Sequence, residues 1–489
     1  MNVLSVAYIL FAAMTFQGCS DNDNNDSVST LTVSLNDTEI SELNCPIGKS
    51  TNMLAINTDG RWKASVPDAD TTWLQITPHE AYGWKTNDST ASNVSSYMKV
   101  TVTANTMEER SSNITIMADG MQKVIAVNQK GINSYSGDPI ESAWEMVDNL
   151  KMGYNLGNTL DSNPSGDWWD TTISHSVSDW ETAWGQPVTT QKMIDDIYAK
   201  GFNIIRVPIT WGPHMDSNYQ VDESWMNRVE EIVNYVMNEK NCYCIINVMH
   251  EDSWLNADND NYETISTKYK TLWKQIATRF KDYDGRLLFE AFNEIRNGNG
   301  DWTAPALGDS AYACINKLLQ DFVNTVRNTG SNNEYRNIAI TTYAANSSEQ
   351  AIKSLSVPED VHYGHIYATI HSYEPYNFCS DNSGINTDGT SYDYNIYTFD
   401  DNCKAEVRGV VDRCVDRFNN LGIPFIFGEF GAIDEKKDMN ERIKYATYIA
   451  TLMKQNYTTG LWWMGLYDRN TNKWYEEAIV DALAMILAN

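Results

Sequence analysis

Two textures of apolar and polar positions divide the chain. From about Thr30 to Lys130, short runs alternate apolar with polar residues and are separated by turn residues: LTVSL, MLAIN, RWKASV, WLQITP, MKVTVTAN, NITIMAD and KVIAVNQ. Period-two alternation at this regular spacing predicts half-buried strands and a small all-β sandwich over 30–131, with Trp62 and Trp73 as core anchors. A polar connector follows at 132–138. Beyond Pro139 the texture changes to continuous apolar runs of strand length, alternating with helix-period segments. Strands are predicted at Met152 to Leu156, Asn203 to Pro208, Tyr243 to His250, Leu287 to Glu294, Asn337 to Thr342, Ile366 to Tyr373, Pro424 to Phe430 and Leu461 to Leu466. Helical patterns fall between them, among them Glu223 to Lys240, Tyr262 to Phe280, Ser310 to Asn328, Cys403 to Asn420 and Met439 to Gln455. Eight strand–helix units in succession predict a (β/α)8 barrel over 139–489.

Polar outliers at the predicted strand ends carry the candidate chemistry. The fourth strand, LLFEAFNEIR, holds Glu290 in its middle and closes on Asn293 and Glu294; the seventh, PFIFGEFG, closes on Glu429. Strand ends of a parallel barrel converge on one face, so the two terminal acids can meet over one cavity. A pair of carboxylates is what glycoside hydrolysis requires. Arg206 closes the second strand, where it can compensate one acid and leave the other less compensated. Glu290 shares parity with Glu294 and is expected to point into the barrel below it, as a buried structural partner of Arg206.

Charge and aromatic content narrow the partners. Lys and Arg number 36 against 65 Asp and Glu, a formal charge of -29, which repels phosphate backbones and anionic headgroups and excludes nucleic acid as a partner. The 16 Trp and 27 Tyr supply flat apolar faces for core packing and for stacking on sugar rings. No Cys/His spacing of zinc type appears, and no metal or other cofactor is expected.

The N-terminus carries an apolar run, Val3 to Phe16, too short to span a bilayer and of signal-peptide length. Gly18-Cys19 looks like the end of a bacterial lipoprotein signal, with Cys19 lipidated. The acidic stretch at 20–29 then reads as a tether and resembles the export signal of surface lipoproteins in Bacteroidetes-type bacteria. These features predict a secreted outer-membrane lipoprotein at the cell surface, held to the membrane only through its anchor. Among the remaining cysteines, Cys242 and Cys244 read as small core residues, and Cys379 and Cys403 bracket a long polar loop they are able to close.

Taken together, the barrel and its strand ends resemble glycoside hydrolase family 5, over roughly Trp144 to the C-terminus. The resemblance implies Glu294 as the acid/base and Glu429 as the nucleophile. It implies Asn293 as a donor to the 2-hydroxyl of the reacting sugar, Tyr373 and Arg206 as partners of Glu429, and His250 and His371 as lining. Trp463 becomes the platform beneath the sugar beside the cleaved bond. Finer motifs, GYNLGNTLD with Asn158, ETAWGQP, RVPITWGPH and HSYEPYNF, resemble subfamily 4, whose members are mostly endo-β-1,4-glucanases, with xyloglucanase and mixed-linkage activities common. Two departures stand out. Met249 occupies a usual His position, and Met464-Gly465-Leu466 replaces Asp-Asn-Gly after Trp462-Trp463, which leaves open which Trp faces the cleft, the alignment favouring Trp463. The N-terminal sandwich resembles the immunoglobulin-like BACON domain through Trp62, Trp73, the Asn105 to Arg110 turn and Val127-Asn128-Gln129, and serves either as a spacer or as a carbohydrate-binding module.

The expectation is therefore a monomeric, retaining endo-β-1,4-glucanase acting on cellulose-like, xyloglucan or mixed-linkage β-glucan. An endo-β-mannanase on the same barrel and a non-catalytic surface glycan-binding protein are the alternatives.

Overall fold

The computed structural model describes residues 30–488 apart from 36–37, 59, 83–95, 106, 119, 132–137, 167, 171, 381–397 and 434–436. The apolar run at the N-terminus, Cys19 and the acidic tether lie outside the described residues, as does most of the predicted connector. Among the described residues no helix is long and apolar enough to cross a membrane.

The alternating segments form two five-stranded sheets packed face to face. The strand Arg110–Ala118 buries every second residue from Ser112 onward, as a strand with one face on a core must. Val33, Ile56, Leu74, Val100, Ile116 and Val127 fill the space between the sheets around Trp62 and Trp73, which act as the expected anchors. The indole of Trp62 donates to Ser96 Oγ (2.7 Å) and that of Trp73 to Asp70 Oδ1 (3.2 Å), so neither buried N–H is left unpaired.

The apolar runs beyond 139 close into an eight-stranded parallel barrel. Its strands are Met152–Asn155, Phe202–Val207, Tyr243–Ile246, Leu287–Glu290, Ile338–Thr341, Ile366–Ser372, Phe425–Phe430 and Gly460–Trp463. The intervening helices include Tyr262–Phe280 and Met439–Gln455, both at the bounds their periodicity predicts. The third, fourth and eighth strands stop three or four residues before their predicted ends. Beyond the third and fourth strands the residues leave the regular ladder while keeping backbone bonds to the extension of the neighbouring strand, Asn293 N to Val248 O (2.9 Å) and Met249 N to Ile209 O (2.8 Å).

Inward-facing residues change character with height. At the N-terminal mouth Ile204, Ile245, Leu288, Ala339, Tyr367 and Leu461 close on Ala143, Met146 and Val147 of the short helix Ala143–Asn149, which plugs the opening. Ser142 and Glu145 form a capping box that starts this plug, satisfying N–H groups that helix geometry alone leaves unpaired. Two residues further along the same strands stand Arg206, Asn247, Glu290, Thr341, Thr369 and Trp463.

Glu429 reaches the inner face by a different route. The seventh strand already faces inward at Ile426, so strict alternation would turn Glu429 outward. The pairing with the sixth strand slips there: Ile370 lies opposite Phe427, and His371 opposite Glu429. Gly428 is the extra residue of this bulge, and a bulge re-aims the side chain that follows it. A Cβ on Gly428 would stand 3.3 Å from His371 Nε2.

The sandwich rests against the plugged mouth. Ile47 packs on Trp144 of the plug, and Asn419, near the C-terminal end of the helix Asp401–Leu421, donates to the Lys49 carbonyl. Cys242 and Cys244 are buried in the barrel wall as expected. Cys379 and Cys403 are not bridged: their thiols face the carbonyls of Glu374 (3.4 Å) and Thr398 (3.6 Å) instead.

Candidate active site

A single guanidinium organises the open mouth. Arg206 is fully buried, and its nitrogens fan out to four partners: Nε donates to Glu290 Oε2 (2.6 Å), Nη1 to Asn155 Oδ1 (3.0 Å) and Glu429 Oε1 (2.8 Å), and Nη2 to Asn293 Oδ1 (2.8 Å). Burial alone would disfavour the cation, but Glu290 and Glu429 more than offset it and hold its pKa above the usual value. Glu290 is the buried structural partner expected of it, with Thr369 Oγ1 (3.0 Å) and Asn247 Nδ2 (3.2 Å) completing its shell. A buried carboxylate bound on every side is fixed in place.

Glu429 takes its second bond from Tyr373 Oη (2.9 Å). Glu294 faces it across the cavity without an arginine of its own, its Oε1 2.5 Å from His371 Nδ1, which in turn lies 3.6 Å from Glu429 Oε2. One oxygen from each carboxylate and the imidazole nitrogen all fall within 4.8 Å of one another. The two acids differ in access: the side chain of Glu294 is 21% exposed and that of Glu429 6%. Burial opposes an imidazolium at His371, but Glu429 and Glu294 outweigh it and raise its pKa. Burial and the Glu429 charge push the Tyr373 phenol well above its ordinary value, so it stays a donor. Glu294, His371 and Glu429 have the spacing of a three-ligand cation site, yet the imidazole nitrogen that faces them is already bonded to Glu294.

Trp463 continues the inward parity of Leu461, while Trp462 is buried outside the barrel against Phe430 and Tyr445. The tryptophan at the cavity is therefore Trp463. Gly157 allows this, since a Cβ there would lie 2.8 Å from the indole Cζ2. His250 lies past the third strand with φ 47°, its ring against Trp184 (5.2 Å), and lines the recess beside Asn293 and Glu294. Met249 is buried, its sulfur accepting from Asn247 Nδ2 (3.9 Å).

The backbone N–H of Asn158 donates to Asp161 Oδ2 (3.0 Å) in a tight turn with φ 56°. The asparagine that joins the cluster is Asn155, three residues earlier, whose Nδ2 also donates to the carbonyls of Gly428 (3.0 Å) and Leu461 (3.1 Å). Its signal was parity, because it pairs in register with both Arg206 and Trp463. Asn247 and Thr369 were missed in the same way, as polar residues on the inner face of apolar runs. Glu251 was missed too; buried beside the recess, it accepts from the backbone N–H groups of Trp211 (2.5 Å) and Gly212 (2.7 Å).

Two close carboxylates on different strand ends, one arginine-bound and one more exposed, define a glycosidase barrel. The model of the family described as cellulase, glycosyl hydrolase family 5, matches residues 165–468, and the chain belongs to that family. The BACON model, a putative N-terminal binding domain, matches residues 62–130. Endoglucanase A of Ruminococcus albus is 34% identical over 358 residues, 70% of this chain and 92% of the relative. A mutant family 5 enzyme of Prevotella bryantii B14, solved with the xyloglucan tetradecasaccharide XXXGXXXG, is 34% identical at TM-score 0.63, covering 72% of this chain and 99% of that one. A broad-specificity GH5-4 endoglucanase from Ruminococcus champanellensis with bound cellotriose is 35% identical at TM-score 0.63, covering 70% and 98%.

Proposed function

We propose that this chain is a retaining endo-β-1,4-glucanase of the subfamily 4 type, with xyloglucan or mixed-linkage β-glucan as its preferred polymer. The observation that carries the mechanism is the approach of the two carboxylates to within 4.8 Å. Carboxyl groups about 5 to 5.5 Å apart leave no room for a water between acid and sugar, so one of them attacks the anomeric carbon itself.

Glu429 is the nucleophile, oriented by Arg206 and Tyr373, which between them bind both of its oxygens. Glu294, more exposed and free of arginine, gives its proton to the departing glycosidic oxygen as the Glu429–carbon bond forms. In the second step Glu294 takes a proton from water, the water oxygen bonds to the anomeric carbon, and the ester electrons return to Glu429. Asn293 meets the 2-hydroxyl of the reacting sugar and Trp463 stacks beneath it. Both acids come from one chain, which supports action as a monomer.

Azide tests the assignment. Glu294→Ala should still be glycosylated by a donor with a good leaving group, and azide should release it as a β-glycosyl azide; Glu429→Ala should turn over no donor. An α-glycosyl azide from the Glu294 variant, or rescue of the Glu429 variant alone, reverses the roles. Release of reducing sugar from xyloglucan, barley β-glucan, carboxymethyl cellulose and mannan tests the substrate, and cleavage of mannan alone overturns it.

Gly18-Cys19 after an apolar run supports a lipid anchor and a cell-surface location. Cys19→Ala should leave the membrane fraction or fail to mature; unchanged fractionation refutes the anchor.

A further inference from the structure

His250 turns into the left-handed backbone region at φ 47°, a conformation that costs a non-glycine residue free energy and persists only where its surroundings fix it. The ties that fix it lie on both sides. Before it, Met249 N donates to the Ile209 carbonyl (2.8 Å). After it, Glu251 reaches back to the same neighbouring segment, its Oε1 accepting from the backbone N–H groups of Trp211 (2.5 Å) and Gly212 (2.7 Å). Held at 249 and again at 251, the chain has little freedom left at the residue between them, whose own carbonyl accepts from Asn163 Nδ2 (2.9 Å).

Glu251 is itself buried and held at every polar atom of its carboxylate and carbonyl. Its Oε2 accepts from Trp254 Nε1, and its carbonyl accepts from the N–H groups of Trp254 (2.9 Å) and Leu255 (2.8 Å). Lys268 Nζ lies 4.1 Å over the Trp254 ring and fixes that donor in turn. Gly212 leaves the carboxylate its place, since a Cβ there would stand 2.4 Å from Oε2. A charge buried against neutral N–H groups costs desolvation that an apolar side chain would not, which points to a task beyond stability.

That task is set by the residue next to it. The imidazole of His250 rests edge-on to Trp184, with ring centroids 5.2 Å apart, and lines the recess that Asn293 and Glu294 share. We infer that Glu251 is a positioning residue: its carboxylate, bound to the extension of the second strand, holds the His250 imidazole at the cleft where it meets the substrate. Glu251 touches no sugar and acts only through His250. This inference rests on the glucanase reaction proposed for Glu294 and Glu429.

The test is a double-mutant cycle in kcat/KM on xyloglucan, with denaturant melts read separately. Glu251→Ala should lower kcat/KM about 10- to 100-fold, the scale of a misplaced group at the reacting centre. Glu251→Gln, whose amide oxygen can still accept from Trp211 and Gly212, should recover most of that rate. In a His250→Ala background the same Glu251→Ala should cost less than about twofold, because residues that act through one group are not additive. Trp254→Phe removes one donor and keeps a ring; it should lower kcat/KM about threefold, the scale of one hydrogen bond, and lose that effect in the His250→Ala background, which carries the test where the alanine variant does not fold. An undiminished loss in the His250→Ala background, an unchanged rate in either single variant, a glutamine variant no better than alanine, or a His250→Ala enzyme as fast as wild type would each overturn the inference. Wild-type protein that hydrolyses none of these glucans would instead overturn the reading on which it rests.

Discussion

The two mouths of the barrel are built from the same strands and differ in almost everything else. At the lower mouth the inward residues are apolar and meet Met146 and Val147 of the plug helix. Two residues higher, the same faces carry Arg206, Glu290, Asn247 and Thr369, bound to one another. The lower layer removes apolar surface from water and contributes stability in proportion to area. The upper layer contributes little net stability for its cost in desolvation, because buried ion pairs roughly break even. What the upper layer gains is position: each carboxylate is fixed by named donors before any substrate arrives.

The division predicts a graded series of substitutions. Arg206→Met should do the greatest harm, since it strands Glu290 and Glu429 without their cation. A loss of about 3–5 kcal/mol in stability is expected, together with a fall of about 10²–10³ in kcat for want of a charged hydrogen bond at the reacting centre. Denaturant melts and single-turnover kinetics separate the two, and a variant that lost stability alone would erase the distinction between the layers.

Met146→Ala at the plug should cost about 2–5 kcal/mol through the cavity it leaves. Below its melting temperature it should keep kcat within about twofold, because distant sites act independently. A large fall in kcat at unchanged melting would show that the plug governs the upper mouth.

Two histidines of the sixth-strand segment sharpen the contrast by pH. His365, at the lower end, has its pKa lowered chiefly by burial despite Asp138 at 3.1 Å, whereas that of His371 is raised. Between the lowered value of His365 and about 6.5 the unfolded chain binds the extra proton, so stability is lost as pH falls through that window. Between about 6.5 and the raised value of His371 the folded chain binds it, so stability is lost as pH rises. Each contributes a slope of up to about 1.4 kcal/mol per pH unit. His365→Gln should flatten the acid limb of melting temperature against pH and His371→Gln the alkaline limb. A swap of limbs would refute both environments.

The smallest effect should come from removing the sandwich. A chain beginning near Ser136 should hydrolyse soluble xyloglucan with kcat and KM within about twofold of the full chain, since the sandwich touches the barrel at the closed mouth and distant sites act independently. A large rise in KM would make the module a glycan binder.

The barrel was legible because its strands are buried on both faces and read as uninterrupted apolar runs. Their upper ends were not, because residues such as His250 and Asn293 keep the same composition while leaving the ladder. Glu294 and Glu429 stood out as acids closing apolar runs, but the bulge at Gly428 that turns Glu429 inward leaves no mark in alternation. Asn155 lies in the same motif as Asn158, and only its register with Arg206 and Trp463 marks it as inward-facing. Trp463 over Trp462 follows from two-residue parity counted from Leu461. The unbridged thiols of Cys379 and Cys403 depend on where two loop ends come to rest, which spacing alone does not determine.

The contact between Ile47 and Trp144 also fixes a path for mechanical load. A pull on the N-terminal module reaches the barrel first through the plug helix and the outer helix that carries Asn419. Neither bears Glu294 or Glu429, so tension is delivered at the end of the molecule farthest from the chemistry. The sandwich can thus be gripped, loaded or exchanged for another module without any of its contacts bearing on the two acids.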